Sequence, residues 1–213
     1  MNYTGKILIS SDHSFLKMQY LIYVFEHNEN GAVGVVLNGD AIGKLSRKHI
    51  KDIINSPEGK FETFKTKFIQ DKIEYPEIFF GGPYKTEGFY FIHAYKDFCH
   101  ATRIDIDHVE SLFSKKFNEK PVDNKISEGV YFGTPFTYGH LIEANILDQS
   151  KFRFYSGQQC WAAGQIEMEI TSKMWSVLEL DEELFFNYQK CESLARSVKT
   201  KPDFFDFIKF SNN

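Results

Sequence analysis

Three cysteines, Cys99, Cys160 and Cys191, are too few and too widely spaced for a disulfide framework, and their number is odd. That usage suits a reducing compartment, so a cytoplasmic location is expected. Long apolar runs are also missing. A membrane-crossing helix needs roughly 18 apolar residues in succession, and the longest apolar-rich piece, residues 20–25, has only the length of a strand. Residues 1–6 carry no apolar run ending in a cleavage site, so no leader is expected. Positive charge is short as well: 25 Lys and Arg stand against 29 Asp and Glu, a formal net charge of -4. The whole chain therefore offers no electrostatic footprint for a phosphate backbone, and direct nucleic-acid binding is not expected. Arg47-Lys48-His49 with Lys51, and Lys199 with Lys201, are short, mixed with acids, and read as solvated faces.

What is present is ordinary globular material rich in aromatics. Hydrophobic residues make up 42% and charged residues 25% of 213 positions, with 22 Phe and 11 Tyr. This suits a single domain over 1–213 with a Phe-heavy core and a C-terminal helical extension from about residue 181. Strands are read over 6–10, 21–26, 32–37, 78–80, 88–94, 129–133, 151–155 and 175–180. Asn30-Gly31 between the second and third reads as a hairpin turn. In the strand at 151–155, Phe152 and Phe154 fall on one side and Arg153 and Tyr155 on the other. Helices are read over 45–54, 106–117, 138–147, 159–170 and 181 to about 198, the last capped by Asp181, with a terminal turn over 204–210. The charged stretch 58–77 reads as a loop. Strands in hairpin-like pairs outnumber helices, which favours an α+β fold.

Three segments, taken in order, resemble the AlgH (YqgE-like) family of bacterial proteins. The first is Phe25-Glu26-His27-Asn28 through Asn30-Gly31-Ala32-Val33-Gly34-Val35-Val36-Leu37-Asn38. The second is Phe80-Gly81-Gly82-Pro83, followed by Gly88-Phe89 and Ile92-His93. The third runs from Cys160-Trp161 through Gly164-Gln165-Ile166-Glu167-Met168-Glu169-Ile170 to Trp175. The chain departs from the family pattern at Ser10-Ser11-Asp12, where a small residue and proline are usual, at Gly39, where proline is usual, and at Ile92, where leucine is usual. The resemblance implies an α+β fold, with a largely antiparallel or mixed sheet curled into a pseudo-barrel flanked by helices. It implies no activity: family members are described as transcriptional regulators or left uncharacterised, and no helix-turn-helix signal accompanies that label here.

The residues that could carry chemistry form no established catalytic spacing. Gly81-Gly82-Pro83 could let a ligand approach the backbone and offer N–H groups to an anion, with Lys85 adding charge; it could equally be a tight strand exit. No nucleotide-binding glycine fingerprint is present, and no cofactor is expected. His27, His93, His100, His108 and His140 lack metal-ligand spacing, and Cys99-His100 points its side chains apart. Cys160, if near a helix N-terminus, would have a favoured thiolate. Trp161 and Gln165, at helical spacing, would share one face.

The leading expectation is a non-enzymatic, regulatory module binding a small anionic ligand or a protein partner. The alternative is a small hydrolase or thiol-dependent enzyme using His27, His93 or Cys160. Asn38, Gly81, Gly82, Pro83, His93, Trp161 and Gln165 are expected to border one shallow cleft.

Overall fold

The computed structural model describes residues 1–11, 19–55, 61–86, 88–95, 124–127, 130–133, 135–179 and 185–200. The expected helix at 106–117, the expected terminal turn over 204–210, the Asp181 cap, and Cys99, His100 and His108 lie outside these residues.

The chain forms two compact units. One is built from Met1–Gly39, Gly81–Thr86 and Gly157–Asn213, the other from Asp40–Phe80 and Glu87–Ser156. Each has its own sheet, so the class is α+β. The expected single curled sheet is replaced by two sheets, each open, with a strand order that ends at two edges.

In the first unit the order is β10-β3-β2-β1-β11, antiparallel throughout. It contains β1 (Ile7–Ser10), β2 (Leu21–Asn28), β3 (Gly31–Val36), β10 (Gln159–Ala162) and β11 (Trp175–Leu178). The β2–β3 hairpin turns through Glu29 and Asn30, with the Asn30 N–H bonded to the Asn28 side chain at 2.8 Å. Gly31, at φ +135°, is needed for a different reason from the turn itself: a Cβ there would lie 2.2 Å from the backbone oxygen of Trp161. α4 (Gln165–Thr171) links β10 to β11, and α5 (Tyr188–Thr200) buries Cys191 and Ala195, one turn apart. Just before α5, Phe185 packs edge-on against Tyr23 at 4.9 Å.

In the second unit the order is β4-β5-β9-β6-β8-β7, mixed because β5 runs parallel to β9. The strands are β4 (Ala41–Lys44), β5 (Glu77–Phe80), β6 (Tyr90–His93), β7 (Asn124–Ser127), β8 (Val130–Gly133) and β9 (Phe152–Ser156). The helices are α1 (Arg47–Ile54), α2 (Glu62–Ile69) and α3 (Pro135–Glu143). Ile78, Phe91, Phe152 and Phe154 meet Ile50, Ile53, Phe64, Phe68, Tyr138 and Leu141 from those helices in one apolar core. Each buried Phe contributes roughly 1.5–3 kcal/mol relative to an exposed one. α1 starts at a capping box in which the Ser46 hydroxyl accepts the His49 N–H and the His49 ring accepts the Ser46 N–H. Burial, and then the charge of Glu74, push the Tyr138 phenol far above its ordinary value.

Several elements differ from expectation, among them β7, which lies where no strand was read. α2 occupies part of the stretch read as a loop, because its apolar residues Phe61, Phe64 and Phe68 reach the core. β4 went unread because all four of its residues are exposed and show no alternation. Among the described residues no helix is long and apolar enough to cross a membrane.

Candidate functional site

The helix expected over 159–170 is a strand, a turn and a short helix. Gln159, Cys160, Trp161 and Ala162 pair with Gly34, Val33, Ala32 and Gly31 as β10. Gly164 then takes the left-handed conformation at φ +74°, and α4 starts at Gln165. Trp161 and Gln165 thus sit on different elements and share no helical face. Strand pairing overrides the helical propensity of Ala162-Ala163, and glycine supplies the turn an L-residue resists.

The two residues are nevertheless joined, through a third. The Glu169 carboxylate accepts both indole N–H groups, from Trp161 at 2.9 Å and from Trp175 at 2.6 Å. Its other oxygen accepts the Gln165 amide at 2.8 Å, and Gln165 in turn accepts the Ala162 N–H at 2.9 Å. The two indoles meet edge to face at 6.3 Å. This clasp fastens β10, α4 and β11 together. Trp161 is buried within it, so its aromatic surface is committed to the fold.

Two residues earlier on α4, Glu167 makes a second tie. Its carboxylate lies 2.8 Å from His27 Nε2. The other ring nitrogen, Nδ1, accepts the backbone N–H of Tyr3 at 3.2 Å, and the Tyr3 ring lies 5.2 Å from the imidazole. An Nδ1 that accepts leaves the proton on Nε2, and this N–H donates to the Glu167 carboxylate. The backbone N–H of His27 also bonds the Thr4 hydroxyl. Burial, and then the charge of Glu167, push the Tyr3 phenol above its ordinary value.

The Gly-Gly-Pro segment is closely packed against its own chain. The Gly81 carbonyl accepts the Val36 N–H, and Tyr84 exchanges backbone bonds with Gln158 at 2.8 and 3.0 Å. Gly82 has φ +148°, and a Cβ there would lie 2.2 Å from the Gln158 carbonyl carbon; a Cβ on Gly157 would lie 2.1 Å from the Gly82 oxygen. Two glycines therefore allow two backbones to touch. Pro83 is exposed. Asn38 is fully buried, its side-chain oxygen accepting the Leu21 N–H at 2.9 Å and its amide donating to the Gln19 carbonyl at 2.7 Å.

His93 belongs to the other unit. It ends β6 fully buried, its ring near-parallel to those of Phe91 and Tyr131, with Nδ1 accepting the Tyr95 N–H at 3.1 Å. The exposure expected of Asn38 and His93 at strand ends is not observed, because their polar atoms close backbone bonds that the strand ends leave open. Cys160 lies within β10 and is half-buried, with the Gln158 amide 3.4 Å from its sulfur. The helix N-terminus expected beside it is absent from that position, and with it the dipole argument for a favoured thiolate. His140 is on α3, its ring 4.9 Å from that of Phe61. Among the described residues no group of three or more His, Cys, Asp or Glu could hold a metal ion.

Sequence reading did not single out Tyr3, Gly157, Gln158 or the joining role of Glu169. The available signal for Glu169 was its place between two tryptophans, since a carboxylate on a helix flanked by two indole-bearing strands has two donors within reach.

Comparison with known proteins gives one consistent relationship. A family model described as AlgH-like matches residues 11–202. A UPF0301 protein of Rickettsia massiliae is 28% identical over 193 residues, covering 87% of this chain and 81% of the relative. A UPF0301 protein of Chlorobium phaeobacteroides is 24% identical over 201 residues, covering 93% and 86%. Among solved structures, the solution structure of AlgH from Pseudomonas aeruginosa aligns with a TM-score of 0.58 at 19% identity, covering 93% of this chain and 88% of that one. A crystal structure of a Corynebacterium diphtheriae protein aligns with a TM-score of 0.56 at 16% identity, covering 94% and 87%. At these identities the structural likeness is one of fold.

Proposed function

Because this chain belongs to the AlgH-like family, we propose that it is a non-catalytic module of regulatory or scaffold type, working in the cytoplasm by binding a partner or small ligand. The observation that carries the reading is His27. Its two ring nitrogens are both engaged inside the fold, by Glu167 at 2.8 Å and by the Tyr3 N–H at 3.2 Å. A general base needs a nitrogen within reach of a substrate proton, and neither nitrogen of His27 is offered to one. His93 is fully buried. Cys160 sits in a strand, without the helix terminus that would activate it. The regulatory part of the reading rests on the label attached to the family.

The nitrogen-15 shifts of His27 test this directly. The reading expects a single tautomer, with the proton on Nε2 and the lone pair on Nδ1. Rapid exchange between tautomers would remove its main support. An unbiased turnover screen is the second arm: any turnover abolished by His27→Gln or Cys160→Ala in a folded protein establishes the hydrolase or thiol-enzyme alternative instead.

A further inference from the structure

We propose that β4 is a self-complementary edge through which two copies of this chain pair antiparallel. β4 ends the six-strand order of its sheet, with β5 on one side and no strand on the other among the described residues. Ala41, Ile42, Gly43 and Lys44 are all exposed, and Ile42 retains 56% of its accessible surface. The bulge against β5 falls at Ile42, the extra residue between the Ala41–Phe79 and Gly43–Ile78 pairs. Nothing lies within 4 Å of a Cβ built on Gly43. An exposed edge presents unpaired N–H and C=O groups to another strand, and the shortness and bulge of β4 restrict that pairing to a partner of matching register.

The kind of strand it fits is set by charge. Asp40 precedes β4 and Lys44 ends it, and both are exposed. Neither side chain is held in an ion pair among the described residues. Four residues of extended chain separate them by about 13 Å, so they do not reach each other within one strand. Turned antiparallel about Ile42, a second copy places its Lys44 opposite Asp40 and its Asp40 opposite Lys44. Ile42 then meets Ile42, and Ala41 faces the open position at Gly43. This is an isologous two-fold contact: one patch serves both partners. A lone edge lysine discourages pairing, because it meets its own copy or an unpaired edge. A lysine with an aspartate four residues before it specifies a register. The strand is short, so the association is weak and depends on concentration and salt. The proposal is independent of the non-catalytic reading, since an enzyme could pair the same way.

The experiment is sedimentation equilibrium of the full chain at low ionic strength, up to ~1 mM, where weak specific association is still measurable. A monomer–dimer equilibrium is expected. Asp40→Lys and Lys44→Asp, each of which sets like charges opposite one another, weaken it on the order of tenfold. The double exchange, Asp40→Lys with Lys44→Asp, restores it. Ile42→Lys abolishes it. All three positions are exposed, and unchanged thermal melts of the variants confirm that the fold is intact. A monomer at every concentration overturns the proposal. So does a dimer indifferent to the single exchanges, or a double exchange no better than either single one. An unrelated extended peptide that binds β4 while the chain stays monomeric overturns it as well.

Discussion

The carboxylate of Glu143, on α3, accepts the backbone N–H of Phe64, in the first turn of α2, at 2.9 Å. Its second oxygen accepts the Thr63 N–H at 3.0 Å. The residue before α2 is Phe61, which has no side-chain cap to offer. The orphan N–H groups that every helix start exposes are here satisfied by a residue 79 positions away. Glu143→Ala should therefore destabilise the protein by ~1 kcal/mol in urea unfolding at neutral pH, in the range of a lost N-cap. A variant as stable as the parent would show that water replaces the carboxylate without loss.

The same residue sets an acid limit. Partial desolvation pushes its carboxyl up, but the N–H bonds from Phe64 and Thr63, helped by the Thr63 hydroxyl and His140, outweigh it and hold the group below its ordinary value of 4.5. A lowered folded-state value means the stabilisation is complete above the unfolded value and is lost as pH falls through the folded one. The stability gap between parent and Glu143→Ala should be constant near neutral pH and narrow below about pH 4.5. A gap that widens in acid contradicts the assigned direction.

Gly82→Ala should cost about 1–3 kcal/mol or more, the usual range for backbone strain and overpacking. The added methyl group would fall on the Gln158 backbone, at a φ that L-residues rarely adopt. The neighbouring Pro83 is exposed, and Pro83→Ala should be close to neutral. Thermal unfolding of both separates the readings of this turn. Unchanged stability in Gly82→Ala would reopen the idea that its open space is meant for a ligand.

Glu169→Ala removes the acceptor shared by two tryptophans. Trp161 is buried, so its indole N–H is left without a partner at a cost of about 1–3 kcal/mol. Trp175 is only half-buried, and water can replace its bond. Trp161→Phe should therefore cost more than Trp175→Phe, and Glu169→Ala should shift tryptophan emission to the red. Equal costs for the two tryptophans would place the strength of the clasp elsewhere.

The contrast between these residues shows what the sequence made legible. Alternation in β9 placed Phe152 and Phe154 together in the core, as read. The order of the family segments pointed to an α+β fold, and most strands were found within a residue or two of their ends. What failed was local reading of chemistry whose partner lies far along the chain. Gly31 looked like a turn glycine, yet its freedom is required by Trp161, which sits 130 positions later. The helix at α2 was hidden because its cap comes from Glu143. Trp161 and Gln165 fit a helix by spacing, and only pairing with β3 makes Trp161 part of a strand. Propensity and periodicity see neighbours, whereas these positions answer to sheet partners and backbone contacts. Of the candidate residues, Asn38, Gly81, Gly82, Pro83, Trp161 and Gln165 all fall in one unit and His93 in the other. Most of the six are committed to holding that unit together.

The pairing of β1 with β11 joins Ile7 to Leu178. During synthesis the first strand leaves the ribosome long before its outer partner exists. At typical elongation rates the interval is roughly ten to thirty seconds. Throughout it, the hairpin of β2 and β3 has β1 on one side, while β1 itself keeps an open flank of wholly apolar residues, Ile7, Leu8 and Ile9. Until β11, the last described strand, has emerged, that flank of β1 has no strand to cover it.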